Sequence, residues 1–143
     1  MPLKGIPETF DAAGFVELLK SIQAGGKATN EPPIYAPKFD RSIESSIQNG
    51  IEIKPSHKVV LVEGNYLLLE TEPWNRVKGF CDAIWYLDVP EDVLIPRLVE
   101  RHREGGKSPE EARAKVESTD LPNGKLVAGS KGRADRILGF GEF

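Results

Sequence analysis

The sequence predicts an α/β fold organised around a parallel sheet, and three segments carry that prediction. Val59 to Val62 is an apolar run with no polar alternation, the pattern of a strand buried on both faces, which in an α/β protein means a parallel sheet. Ala83 to Val89, AIWYLDV, is a second strong strand, rich in aromatic and branched residues and stopped by Pro90. From Glu91 the apolar spacing becomes helical, with Val93, Leu94, Leu98 and Val99 on the inner side.

The remaining elements follow in order. Glu8-Thr9-Phe10-Asp11 precedes a helical pattern in which Phe15, Leu18, Leu19 and Ile22 share one face, with Asp11 as its cap and Gly25-Gly26 as its end. Lys27 to His57 is broken by prolines, and its pieces IYAPKFDR and GIEIKPSH predict an irregular segment with one or two edge strands. After the buried strand and the LLLE tail, Trp74 to Gly79 form a short connection. The helix from Glu91 ends in Arg97, Arg101, His102 and Arg103 before Gly105-Gly106. Ser108-Pro109-Glu110-Glu111 opens another helix with a serine cap, a proline in first position and acids in the first turn, running to about Ser118. Asp120-Leu121-Pro122-Asn123-Gly124 reads as a break, with a short helix from Lys125 and a last strand within Ala134 to Phe140.

Composition bounds the function. The 143 residues suit one domain, 1–143, and the net charge of −3 with mixed signs excludes a sequence-independent nucleic-acid binder, which needs a basic face. Cys81 is the single cysteine, so neither an intrachain disulfide nor a cysteine-based zinc cluster can form. The apolar runs are too short to span a bilayer and MPLKGIPE lacks a signal-peptide pattern, so no membrane partner and a cytoplasmic location are expected.

Glu63 stands at the carboxyl end of the Val59 to Val62 run, where ligands of open α/β sheets bind, and a carboxylate there can hold a magnesium-bound phosphate or accept a proton. Arginines at a helix end are also favoured by the helix dipole alone. His57 and His102 read as solvated side chains, and Trp74, Trp85 and Tyr86 as core or sheet-face residues.

VVLVEGNYLLL, AIWYLDVPEDVLIPRLVERH, GGKSPEEA and DLPNGKL, with TFDAAGF and PIYAPKFDR before them, resemble the P-loop kinases of the uridine kinase, phosphoribulokinase and pantothenate kinase group. The match is nearest to the nucleoside triphosphate hydrolase or fructose-transport-kinase-like branch. The resemblance implies a P-loop NTPase-like parallel sheet with flanking helices, and phosphoryl transfer from ATP to a hydroxyl of a small molecule such as a sugar, nucleoside or vitamin precursor, with Mg2+ bridging the phosphates. It implies that Glu63 is catalytic and reaches the metal through water, and that Tyr35, Phe39, Asp40 and Arg41 form the substrate-side loop. It also implies that Arg97, Arg101 and Arg103 belong to a lid region, 90–120, that closes over the phosphates, with His102 a neighbour of the lid and not the base. Arginine forks there can neutralise the charge that spreads over the equatorial oxygens in the transition state.

The chain departs from the family in one respect: it contains no G-x-x-x-x-G-K-[ST], and Gly25-Gly26-Lys27-Ala28 has neither its spacing nor its hydroxyl. The strand and acid that abstracts the substrate's proton are missing with it. The P-loop strand would lie between the two apolar strands, so its loss leaves them with unpaired backbone. The expectation is a partial, amino-terminally truncated kinase domain, inactive alone and prone to self-association or to pairing with a full-length paralogue. The alternative is a non-catalytic remnant that acts as a binding or regulatory partner.

Overall fold

The computed structural model describes residues 5–25, 32–40, 43 and 45–142. These divide into two compact units, Asp11–Gly64 on one hand and Met1–Phe10 with Asn65–Phe143 on the other.

In the unit Asp11–Gly64, helix α1 spans Ala12–Ala24. Asp11 caps it as expected, its carboxylate accepting from the Gly14 N–H at 2.9 Å. Ala12, Val16 and Leu19 are its buried stripe, with Phe15, Leu18 and Ile22 half-buried beside them. The helix packs on β1, Ile34–Asp40, which pairs antiparallel with β2, Ser45–Ile53. The expected edge strands are therefore one hairpin. Ala36 faces Ile51 and Lys38 faces Ile47, so β2 bulges opposite Pro37, which has no N–H to give the ladder. Asn49 takes up the bulge with φ 57°, and at Gly50 a Cβ would lie 2.5 Å from the Cβ of Lys38.

The predicted buried strand Val59 to Val62 is not one here. Residues 58–64 belong to no helix or strand, and Val59 and Leu61 are 83% and 91% exposed. Their apolar character is real, but burial on both faces needs neighbouring strands, and no described strand pairs with them.

In the other unit, a turn at 65–68 leads to a 3-10 helix, Trp74–Phe80, where the sequence suggested a simple connection. Phe10, Tyr66 and Trp74 form an aromatic cluster with centroids 5.7 to 6.3 Å apart. One guanidinium organises this stretch: Arg133 donates to the carbonyls of Leu68 at 2.7 Å, Leu69 at 2.5 Å and Asn75 at 3.2 Å.

Strand β3, Trp85–Asp88, pairs in parallel with β4, Arg136–Gly139, confirming the parallel sheet and the last strand. Pro90 precedes α2, Glu91–Glu104, which carries Pro96 inside it and stops at Gly105. Gly106, with φ +90°, completes the reversal. Ser108 opens α3, Pro109–Lys115, with a full capping box: its hydroxyl accepts from the Glu111 N–H while the Glu111 carboxylate accepts from the Ser108 N–H. The Ser108 N–H foremost, and then the Ser108 side chain, hold the Glu111 carboxyl below the usual range.

The expected break at Asp120 to Gly124 does not occur. A π-helical turn, Val116–Asp120, joins α3 to α4, Leu121–Ala128, so the helix runs through Pro122. Pro122 has no N–H to donate to the preceding turn, and the widened π turn is the form in which the helix passes it. Val116 and Thr119 are buried on this turn.

Candidate functional site: the arginine helix and the hairpin face

Helix α2 leaves the carboxyl end of β3, the end of a parallel sheet where ligands bind. Its arginines do not converge. Arg97 and Arg101 are one turn apart on a common face, whereas Arg103 lies on another side of the helix. The Arg97 guanidinium sits 5.2 Å over the Phe140 ring just beyond β4. Arg103 pairs with Glu100 at 2.9 Å, an exposed contact within one turn. Arg101 is exposed and its guanidinium makes no hydrogen bond or ion pair among the described residues, so of the three it alone has an uncommitted cation.

His102 departs from the expectation of a solvated ring. Its Nε2 lies 2.6 Å from Oδ2 of Asp120, with the two side chains only 17% and 19% exposed. This joins the last turn of α2 to the end of the π turn. Asp120 read as a helix breaker in sequence, because its partner lies in a different element and no local pattern marks the pair.

Between the same elements lies a groove of about 370 Å³ lined by Ile95, Pro96, Val99, Val116 and Leu121, with Arg113 and Glu117 among its walls. Nearby, burial and the charges of Glu8 and Asp120 raise the Tyr66 phenol above its ordinary value, and its hydroxyl donates to the Gly5 carbonyl at 2.5 Å. Burial, with Asp82 and Asp135, likewise raises the Cys81 thiol, which leaves it a poor nucleophile.

The hairpin supplies the other set of predicted residues. Tyr35 and Phe39 alternate onto one face of β1 and are 48% and 55% exposed, while half-buried Asp40 belongs to the opposite face with buried Ala36. Arg41 lies outside the described residues. Glu63 is exposed on the segment that follows the hairpin. Among the described residues no group of three His, Cys, Asp or Glu could hold a metal ion. The sequence contains no G-x-x-x-x-G-K-[ST], the loop whose amides, lysine and hydroxyl hold the phosphates in P-loop kinases. Among the described residues no helix is long and apolar enough to cross a membrane.

Comparison with known proteins places this geometry. The chain is 34% identical over 122 residues to an ATP-dependent kinase-like protein, notR', of Aspergillus versicolor, a match covering 84% of this chain and 70% of that one. It superposes on a crystal structure provisionally named a fructose transport system kinase, from a Silicibacter species, with a TM-score of 0.83 and 31% identity, over 96% of this chain and 64% of the other. A crystal structure of YFH7 from Saccharomyces cerevisiae, described as a P-loop kinase with a circular permutation, shares the fold with a TM-score of 0.80 at 24% identity. The chain spans just under two thirds of the first solved protein and about half of the second. No family model matches it. Its likeness to the ATP-dependent kinase-like relative, carried across the parallel strand pair and the helices that flank it, makes the chain a member of the P-loop kinase group.

Proposed function

We propose that this chain is the acceptor-side and lid portion of an ATP-dependent kinase that transfers a phosphoryl group to a hydroxyl of a small molecule, a sugar, nucleoside or vitamin precursor, in the cytoplasm. The observation that carries the reading is Arg101: an uncommitted guanidinium on a helix that springs from the carboxyl end of a parallel strand, in a chain related to ATP-dependent kinases. Such a cation can meet the negative charge of a transferring phosphoryl group, and the 90–120 region acts as its mobile support. Tyr35, Phe39, Asp40 and Arg41 contribute to acceptor binding, and Glu63 approaches magnesium through water. ATP and magnesium supply the phosphoryl group and its charge neutralisation. The loop that grips the phosphates is not among these 143 residues, so the chain is inactive by itself.

A second reading is favoured by the same lack: a non-catalytic partner, pairing with a full-length paralogue. The test is a fusion that places the strand and G-x-x-x-x-G-K-[ST] loop of a P-loop kinase ahead of this chain, assayed for phosphoryl transfer to a panel of sugars, nucleosides and vitamin precursors. Transfer that depends on Arg101 supports the kinase reading. A well-folded fusion that binds ATP but transfers to nothing favours the partner.

A further inference from the structure

The groove between α2 and the arm formed by α3, the π turn and α4 gathers a different chemistry from the arginine face. It measures about 370 Å³, the size class of small-molecule sites. Ile95 and Val99, one turn apart on α2, form one apolar wall with Pro96 beside them, and Val116 and Leu121 form the other. At 3.6 residues per turn, Arg97 and Arg101 lie on the opposite side of α2 from Ile95 and Val99. The groove is therefore separate from the uncommitted cation of Arg101.

Two charges stand on the α3 side of the groove. Arg113 and Glu117 are exposed, and neither the guanidinium nor the carboxylate makes a hydrogen bond or ion pair among the described residues. Opposite charges about one turn apart can meet, as Lys20 with Glu17 and Arg103 with Glu100 do in this chain. The π turn begins at Val116, between Arg113 and Glu117, and its wider winding turns Glu117 away from the place over Arg113 that an α-helix would give it. A free cation and a free anion thus stand beside one apolar cleft.

We infer that this groove binds an apolar α-amino acid as a free small molecule. The carboxylate of such a ligand takes the Arg113 fork, its ammonium takes the Glu117 carboxylate, and its side chain lies along Ile95, Val99, Val116 and Leu121. A dianion would meet Glu117, a simple amine would meet Arg113, and a neutral apolar molecule would leave both charges unused. A zwitterion with an apolar body matches all three parts of the site. Bound there, it ties α2 to the arm that carries Asp120, as the His102–Asp120 contact already does.

Titration of the 143-residue chain with L-leucine and L-phenylalanine, followed by amide chemical shifts, tests this. Saturable shifts are expected along α2 and from Arg113 to Leu121 at or below millimolar concentration. Isocaproate, which lacks the ammonium, and isoamylamine, which lacks the carboxylate, should each bind about tenfold more weakly than leucine, the worth of one charge-assisted hydrogen bond. Glycine, which lacks the side chain, should not bind. Arg113→Gln should weaken leucine about tenfold and leave isoamylamine unchanged, and Glu117→Gln should weaken leucine equally and leave isocaproate unchanged. Both side chains are exposed, so neither variant should move the urea midpoint. The proposal is overturned if neither amino acid gives saturable shifts, or if the shifts fall outside the groove. Glycine or isocaproate binding as tightly as leucine overturns it too, as does leucine binding that ignores both substitutions. None of these measurements uses ATP, so they stand apart from the test of phosphoryl transfer.

Discussion

Asp135 and Ile84 are joined twice: the Asp135 N–H donates to the Ile84 carbonyl at 2.8 Å, and the Asp135 carboxylate accepts from the Ile84 N–H at 2.8 Å. The clamp sits immediately before β3 and β4 and sets the start of their parallel register. Lys78 reinforces it, its ammonium lying 2.9 Å from Oδ1 of Asp135 and donating to the Arg133 carbonyl at 2.5 Å.

Lys78 first, then the Ile84 N–H, hold the Asp135 carboxyl below the ordinary aspartate range. A carboxyl whose folded value is depressed contributes stability that is present above its unfolded value and lost as pH falls through the folded one. Urea midpoints measured from neutral pH down past about pH 4 should therefore fall, and Asp135→Asn should flatten that fall while lowering the midpoint at neutral pH. An identical pH profile for the two proteins would remove Asp135 from the acid response.

The His102–Asp120 pair predicts a different response. Removing one partner leaves a half-buried polar group unsatisfied, so His102→Ala and Asp120→Ala should each cost about 1–3 kcal/mol in urea unfolding. The double variant should cost clearly less than the sum, because the pair is one interaction. Simple additivity would mean that the two side chains contribute separately.

Arg101 and Arg103 should differ in the loop-fused kinase. Arg101→Ala is expected to lower turnover on the order of 100-fold with little change in stability, as for a group that acts on developing charge. Arg103→Ala should have a small effect, since its guanidinium is already paired with Glu100. Equal losses in both would show that lid closure redraws the contacts of α2.

For the chain without an added loop, calorimetric titration with magnesium-ATP should give weak binding or none, because the amides, lysine and hydroxyl that dominate phosphate binding are not in the sequence. Micromolar affinity abolished by Glu63→Ala would move the phosphate site to the segment after the hairpin.

Local chemistry was legible in the sequence, and burial was not. Asp11 and Ser108 marked helix starts correctly, because a cap is written within four residues, and Pro90 marked the end of the strand before Glu91 opens α2. The parallel strands at Trp85 and Arg136 were legible from their apolar content. Val59 to Val62 has the same content, yet whether a run is buried depends on neighbours that its own residues do not encode. Asp120 was misread because turn-forming residues at 120–124 outweighed the option of a π turn. The arginines were legible as a cluster in sequence, but 3.6 residues per turn and the positions of Glu100 and Phe140 sent them in different directions.

Arg133 carries a consequence for the order of folding. The carbonyls it gathers belong to Leu68, Leu69 and Asn75, which are 65, 64 and 58 residues earlier in the chain. Closing so long a loop is slow relative to forming α2 or α3, whose contacts are local. During synthesis, the carbonyls of Leu68, Leu69 and Asn75 therefore wait for their guanidinium until Arg133 has been made.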